Sequence, residues 1–241
     1  MRSAPVLMLL TIIAMGAIGE AVETSAAEPA TEAATAPATA PAFTEAQAIA
    51  ALRKLGGKIK LEGESAVGAD LADIKITDAG LVYLEALPRL KTLSLRHAYD
   101  GVTDAGFAHL KGLTALEKLD LWDVNKISNA AMGDLQGMAQ LRELSIPGPI
   151  GDAGLGRLKD LPRLQTLLIT GNGVSDAGLA QLKDFKSLTT LNFAFSRITD
   201  VGLAHLKGLT QLKAIGFGGA KVTDAGVKAL QEALPDCKIK R

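Results

Sequence analysis

A six-residue pattern recurs seven times between residue 76 and the end of the chain, at intervals of 23 to 26 residues. Each copy opens with Ile or Val, continues with Thr, Ser or Gly, and in six copies has aspartate at the third position. A period of this length is typical of a solenoid, in which each repeat is one supersecondary unit packed on its neighbours. The copies begin at Ile76, Val102, Ile127, Ile150, Val174, Ile198 and Val222.

Each repeat combines two apolar periodicities. Leu203, Leu206, Leu209 and Leu212 are spaced three apart, which predicts a short helix or helical turn with one apolar stripe. The alternation in Leu119–Leu121 predicts a short strand with one buried face. The residue types at the second position are good helix N-caps, and the aspartate that follows suits the positive end of a helix. Because no repeat can bury its stripe alone, stacked repeats should form a parallel sheet backed by helices around an aliphatic core.

The Leu-x-x-Leu-x-Leu segments Leu116–Leu121, Leu141–Ile146 and Leu188–Phe193 give the chain its family resemblance. Over roughly residues 66–241 it resembles the leucine-rich-repeat family. The Ile/Val-Thr-Asp-Ala-Gly-Leu openings look like the helix-backed subclass found in F-box partner proteins and in bacterial exported proteins. The resemblance implies an α/β, right-handed leucine-rich-repeat solenoid, with a curved parallel β-sheet on the concave side and short helices on the convex side.

One position departs from the common form of the family. Leucine-rich repeats usually have an inward-turning asparagine after the strand, whereas this chain has one only at Asn172. Without a ladder of asparagines, the backbone of these turns is expected to find other hydrogen-bond partners or water.

The two ends of the repeat region are predicted to be caps. In residues 43–65, Phe43–Gln47 predicts a capping box and a helix to Leu55, followed by a strand over Lys58–Leu61. At the other end, residues 235–241 predict a charged last strand, which discourages end-to-end association. We therefore expect a monomer.

The first 42 residues predict export and a tether. Residues 1–27 predict a cleaved signal peptide, because an apolar stretch of about 15 residues precedes the small residues Ser25, Ala26 and Ala27. An uncleaved N-terminal anchor is the alternative, and no other segment is long and apolar enough to span a membrane. Residues 28–42 contain only Ala, Thr, Pro and Glu, which predicts a disordered linker. The expected location is secreted, periplasmic or the cell envelope.

Composition and charge narrow the function classes. Aromatic residues make up 4% of the chain, so the core must be mainly aliphatic. The 26 basic residues balance the 26 acidic ones, and the outward strand positions show neither a basic stripe nor a row of aromatics. A nucleic-acid partner is therefore not expected. The single cysteine, Cys237, excludes an intramolecular disulfide.

The sequence predicts no catalytic residue, cofactor or metal site. It has no phosphate-binding loop and no Gly-x-Ser-x-Gly elbow. His109 and His205 occupy the same position in helical turns four repeats apart. At about 4.8 Å per strand they are roughly 20 Å apart, which is too far to bind the same metal ion. The repeated aspartates are predicted to stabilise helix starts electrostatically rather than to bind a row of metal ions. The glycine-rich segment Gly216–Gly219 is predicted to form a tight turn rather than a ligand-binding loop.

The outward strand positions predict a contact patch on the concave face. We define the contact patch as five outward residues that lie on three adjacent repeats: Arg96, Lys118, Asp120, Trp122 and Glu143. Trp and Arg are common interface hot spots, and the alternation points the only tryptophan of the chain at solvent. The competing interpretation is that Trp122 folds over the following turn and that Lys118 and Glu143 neutralise each other. His97–Gly101, in the longest repeat, is a second candidate.

The function predicted from these observations is an exported leucine-rich-repeat protein acting as a protein-binding or scaffolding surface, not an enzyme. The partner is expected to be a protein, with a glycan as the alternative. Two other functions stay open: a purely structural envelope protein, and a substrate-recognition subunit resembling the F-box leucine-rich-repeat proteins of ubiquitin ligases. An F-box helix bundle before the repeats would distinguish the last function, whereas residues 1–42 predict an export signal and a spacer.

Overall fold

A nine-stranded sheet runs through the chain in sequence order. The computed structural model describes residues 42–98 and 101–241. Within them β2 to β9 are parallel, and β1 pairs antiparallel with β2. This arrangement confirms the predicted parallel α/β solenoid. The strands are β1 (Lys58–Glu62), β2 (Ser65–Asp70), β3 (Thr92–Ser94), β4 (Lys118–Asp120), β5 (Glu143–Ile146), β6 (Thr166–Thr170), β7 (Thr190–Ala194), β8 (Ala214–Gly216) and β9 (Lys238–Lys240).

Short helical turns connect the parallel strands. The α-helices are α1 (Glu45–Lys54), α2 (Asp78–Leu81), α3 (Asp104–Phe107), α4 (Asp152–Leu155), α5 (Asp176–Leu179), α6 (Asp200–Leu203) and α7 (Asp224–Ala233). The 3₁₀ turns are Val82–Ala86, Ala108–Leu110, Ala131–Leu135, Gly156–Leu158, Ala180–Asp184 and Ala204–Leu206. The repeat that opens at Ile127 has only a 3₁₀ turn, and it is also the repeat with Asn129 and Ala131 in place of the aspartate and glycine.

The core lies between the sheet and the helical turns. The second residue of each strand from β3 to β8 points inward, and strand register places these residues in one continuous column. All six are at most 2% exposed: Leu93, Leu119, Leu144, Leu167, Leu191 and Ile215. The helical stripe closes the other side, with Leu203, Leu206, Leu209 and Leu212 equally buried. Both predicted periodicities therefore meet in one aliphatic core.

The ends of the stack have local stabilising contacts. Thr44 and Gln47 form a reciprocal capping box at the start of α1, and the Phe43 ring packs at 4.7 Å from the Tyr83 ring. At the other end α7 begins after Thr223, whose hydroxyl accepts the backbone N–H of Gly226.

Hydrogen bonds from one repeat to the next take the place of an asparagine ladder. Asn172, the one asparagine at this position, is exposed rather than turned inward. Backbone groups bond across the turns instead: the Gly171 N–H donates to Ala194 O at 2.7 Å, and the Phe195 N–H donates to Gly218 O at 2.7 Å. Because adjacent turns satisfy each other in this way, no amide side chain is needed there.

The repeated aspartates form a second ladder, between repeats. In Asp176 one carboxylate oxygen accepts the Thr199 N–H at 2.8 Å, and the other accepts the Thr199 hydroxyl at 2.7 Å. The same two bonds join Asp78 to Thr103 and Asp200 to Thr223. The aspartates do lie at helix starts, as expected, but their hydrogen bonds go to the following repeat. They therefore hold neighbouring repeats in register as well as favouring their own helix.

The ladder predicts that stability depends on pH. Hydrogen bonds from the Thr223 hydroxyl and N–H hold the pKa of the Asp200 carboxyl below its usual range. A lowered pKa in the folded state means that the stabilisation is complete above the unfolded pKa of about 3.9 and is lost as pH falls through the folded value.

We expect Asp200→Asn to be less stable than the wild type at pH 7, with the difference shrinking as pH falls below about 4. Urea unfolding at a series of pH values measures this. Asp160→Asn, an exposed substitution outside the ladder, is the control. A stability difference that does not change with pH would contradict the explanation.

The described residues contain no helix of the length and apolar character that a membrane crossing requires. The predicted signal peptide, residues 1–27, lies outside the described residues. So does the predicted linker, residues 28–42, apart from Ala42.

Candidate functional site

The face of the sheet that points away from the core is the open face. Strand register aligns Thr92, Lys118, Glu143, Thr166, Thr190 and Ala214 in one row of this face. A second row contains Asp70, Ser94, Asp120, Ser145, Leu168, Asn192 and Gly216. These are the outward positions that the two-residue alternation predicts.

Three residues of the contact patch form one cluster. The Arg96 guanidinium donates from Nε and Nη2 to the same Asp120 oxygen, at 3.1 and 3.0 Å. It also lies 5.6 Å from the Trp122 ring centroid, within cation–π range. The other Asp120 oxygen accepts the Trp122 backbone N–H at 3.1 Å. Asp120 therefore orients both the guanidinium and the turn from which the indole projects.

The other two residues of the contact patch pair with each other. Lys118 Nζ lies 2.7 Å from a Glu143 carboxylate oxygen, because register places these residues opposite each other on β4 and β5. Both side chains are about half exposed, so the pair contributes little to stability. The four charges of the patch thus compensate one another within the protein.

Burial differs from the expectation on β4 and β5. Trp122 lies two residues beyond the end of β4 and is half-buried rather than fully directed at solvent. Ser145 and Pro147, which the alternation predicts to be outward, are buried. Their side chains are short, and register places Ser145 between the longer Asp120 and Leu168. The surface beside the indole is therefore lower and less polar than the sequence indicates.

A groove of about 530 Å³ adjoins the contact patch at the N-terminal end of the open face. Its floor is low at Gly68, where a Cβ atom would lie 2.8 Å from Thr92 Oγ1. The side chains of β1 form one wall, so the N-terminal hairpin helps to shape the groove. Polar lining residues are Lys58, Lys60, Asp70, Thr92, Ser94, Lys118 and Asp120.

The second candidate, His97–Gly101, is described only in part, because Tyr99 and Asp100 lie outside the described residues. His97 Nδ1 lies 2.6 Å from Asp73 Oδ1, and His97 Nε2 lies 3.9 Å from Asp123 Oδ2. All three residues have φ of 60°, since each occupies the turn after its strand. The imidazole thus links three consecutive turns.

The described residues offer no nucleophile–base pair around the thiol or the other histidines. Burial raises the pKa of the Cys237 thiol, which keeps it protonated and weakly nucleophilic. His109 contacts Glu85, its neighbour one repeat away, and not His205. Within residues 42–98 and 101–241 there is no group of three or more His, Cys, Asp or Glu side chains placed to hold a metal ion.

Sequence reasoning missed Phe195. Its side chain is 69% exposed, and its φ of 60° is in the left-handed region. In the flanking repeats this turn position is occupied by Gly171 and Gly219, both at positive φ. A phenylalanine between two glycines in one repeat column is the signal that could have identified it.

Comparison with known proteins gives structural similarity only. No family model matches the chain, and no curated protein matches it in sequence. An internalin of Listeria monocytogenes (inlF) superposes with a TM-score of 0.58 at 22% identity, over 80% of this chain and 54% of the internalin. The chain thus spans about half the length of that protein. Internalin C2 (inlC2) of the same species gives a TM-score of 0.56 at 21% identity, over 80% of this chain and 91% of that one.

Superposition over 80% of this chain shows that it shares its fold with these structures. The chain therefore has the leucine-rich-repeat fold.

Proposed function

We propose that this chain is an exported protein that binds a partner protein through the open face of its sheet, and that it is not an enzyme. The observation that supports this most directly is the contact patch, where a half-buried indole, a guanidinium and a carboxylate are held together on a face that no other described element covers. Residues 1–27 support export.

The geometry of the patch suits recognition. Arg96 is held by two hydrogen bonds to Asp120 and lies over the Trp122 ring, so the guanidinium loses little conformational freedom on binding. Trp and Arg are enriched among residues that dominate interface energies. The neighbouring groove offers space for a protruding side chain of the partner.

We expect Trp122→Ala to weaken partner binding by about thirtyfold or more, because truncating a central aromatic hot spot costs about 2 kcal/mol or more. The experiment is affinity capture from envelope extracts with wild type, Trp122→Ala and Thr166→Ala, followed by titration of the captured partner. Thr166→Ala is the matched control, on the same face but outside the contact patch.

Partners that bind wild type and Thr166→Ala but not Trp122→Ala support the proposal. Equal affinity of all three proteins, with unchanged circular dichroism, would place the binding surface elsewhere. Loss of binding by Thr166→Ala alone would have the same consequence.

A further inference from the structure

We infer that the C-terminal half of the open face is a second interaction surface, which binds an extended acidic segment of a partner protein with an apolar residue seated against Phe195. We define this half as Leu168, Thr190, Asn192, Ala214, Gly216, Lys238 and Lys240, with the Phe195 turn at its edge. It is separate from the contact patch, so it goes beyond the proposed function.

Phe195 is the anchor of this surface. Phe195 is 69% exposed, which makes it the one large exposed aromatic residue among those that the structure describes. The ring rests on the next turn, where a Cβ at Gly219 would lie 2.8 Å from Phe195 Cδ1. Gly171, on the other side, also lacks a side chain. The phenyl group therefore stands above bare backbone on both sides.

The backbone of Phe195 is strained for its residue type. A φ of 60° is unfavourable for an aromatic residue and is readily adopted by glycine, which the flanking repeats use at this position. An exposed ring also gains little from burial in the folded chain. Folding alone thus favours glycine here, and strain kept at an exposed position points to a contact outside the chain.

The charges around Phe195 select an acidic partner. Lys238 and Lys240 are the charged residues among the open-face positions of β6 to β9, all of which the structure describes. Both are exposed, and Arg197 and Lys221, in the Phe195 turn and the next one, are exposed as well. In the N-terminal half, by contrast, lysines and arginine pair with Asp70, Asp120 and Glu143.

The surface between the anchor and the lysines is smooth. Ala214, Gly216 and Gly218 present little or no side chain, so the backbone of an extended segment can approach closely. Lys240 lies two strands from β7, about 10 Å, and Phe195 lies a few residues further along the strand direction, about another 10 Å. The separation of roughly 14 Å corresponds to about four residues of extended peptide.

A protein segment suits this surface better than a nucleic acid. Single-stranded nucleic acids are held by rows of aromatic side chains beside a basic groove, whereas this surface has a single exposed phenyl ring, that of Phe195. The apolar ring and neutral strand positions instead match a peptide that alternates apolar and acidic side chains.

The test is selection of twelve-residue peptides from a random display library against the full chain. We expect the selected peptides to contain an apolar residue and at least two acidic residues about four positions away. Binding of one such peptide is then titrated with Phe195→Gly, with Lys238→Glu/Lys240→Glu, and with Lys58→Glu/Lys60→Glu. The last variant is the matched control, because β1 and β9 share the same Lys-Ile-Lys sequence at opposite ends of the sheet.

We expect Phe195→Gly and the β9 double variant each to weaken binding at least tenfold and the β1 double variant to change it less than twofold. Phe195→Gly should also unfold at the same or a higher temperature than wild type, so loss of binding is not loss of folding.

Failure to select acidic peptides, equal sensitivity of the two double variants, or tighter binding of a single-stranded oligonucleotide would overturn the inference. Peptides that depend on Trp122 but not on Phe195 would overturn it while leaving the proposed function intact.

Discussion

Gly106→Ala is expected to lower the free energy of unfolding by about 2–4 kcal/mol, because the added methyl group overlaps atoms of the preceding repeat. A Cβ at this position would lie 2.1 Å from Asp78 Oδ1 and 2.7 Å from Asp78 Cα. The carboxylate cannot move aside without losing its hydrogen bonds to Thr103, and the Cα belongs to the backbone of α2. The overlap can therefore be removed only if the Asp78–Thr103 hydrogen bonds break or the two repeats move apart.

Urea unfolding followed by circular dichroism measures this loss. Gly112→Ala is the matched control, since it lies six residues away in the same repeat and its Cβ would meet no atom within 4 Å. It should change stability by less than about 0.5 kcal/mol or increase it slightly. A Gly106→Ala protein as stable as Gly112→Ala would show that close packing of the aspartate does not limit this position.

Phe193→Ala is expected to lower the free energy of unfolding by about 3–5 kcal/mol. The ring is fully buried and stacks on the equally buried Phe217 of the next repeat, with centroids 5.8 Å apart and an interplanar angle of 8°. Removing it leaves a cavity between two repeats and takes away the aromatic contact that joins them.

The same unfolding measurement applies, with Val201→Ala as the control because Val201 is 71% exposed. The control should change stability by less than about 0.5 kcal/mol. Since contacts in a solenoid are mainly between neighbouring repeats, Phe193→Ala is also expected to broaden the transition as the C-terminal repeats separate from the rest. A small loss with an unchanged transition would mean that the neighbouring side chains fill the cavity.

The open face is divided by charge. Its N-terminal half contains the ion pairs Arg96–Asp120 and Lys118–Glu143, whose charges neutralise each other within the protein. The surface there is nearly neutral and is shaped by Trp122. Its C-terminal half has Lys238 and Lys240 beside small neutral residues and the exposed Phe195. One sheet thus offers two chemically different surfaces.

The repeat unit was predictable from sequence because its signals are local. The spacing of Leu203, Leu206, Leu209 and Leu212 specifies one face of a helical turn, and the alternation around Leu119 specifies one face of a strand. Each side chain is directed by the backbone of its own segment, so the inward positions of the strands and helical turns follow from periodicity.

Contacts between repeats were decided by the tertiary structure. Asp176 was expected to act on its own helix, yet its hydrogen-bond partner is Thr199, 23 residues away in the next repeat. Asn172 points outward, Pro147 is buried, and Phe195 stands exposed beside Gly219. Each outcome depends on how turns of slightly different length align when neighbouring repeats stack.

The sequence by itself therefore determined the solenoid and the face of each strand and helical turn that points to its core, because periodic burial is encoded within each repeat. The tertiary structure alone decided which polar groups meet across repeats and which aromatic side chains remain exposed. The physical reason is that these contacts join atoms of different repeats, whose relative position follows from the packing of the whole stack.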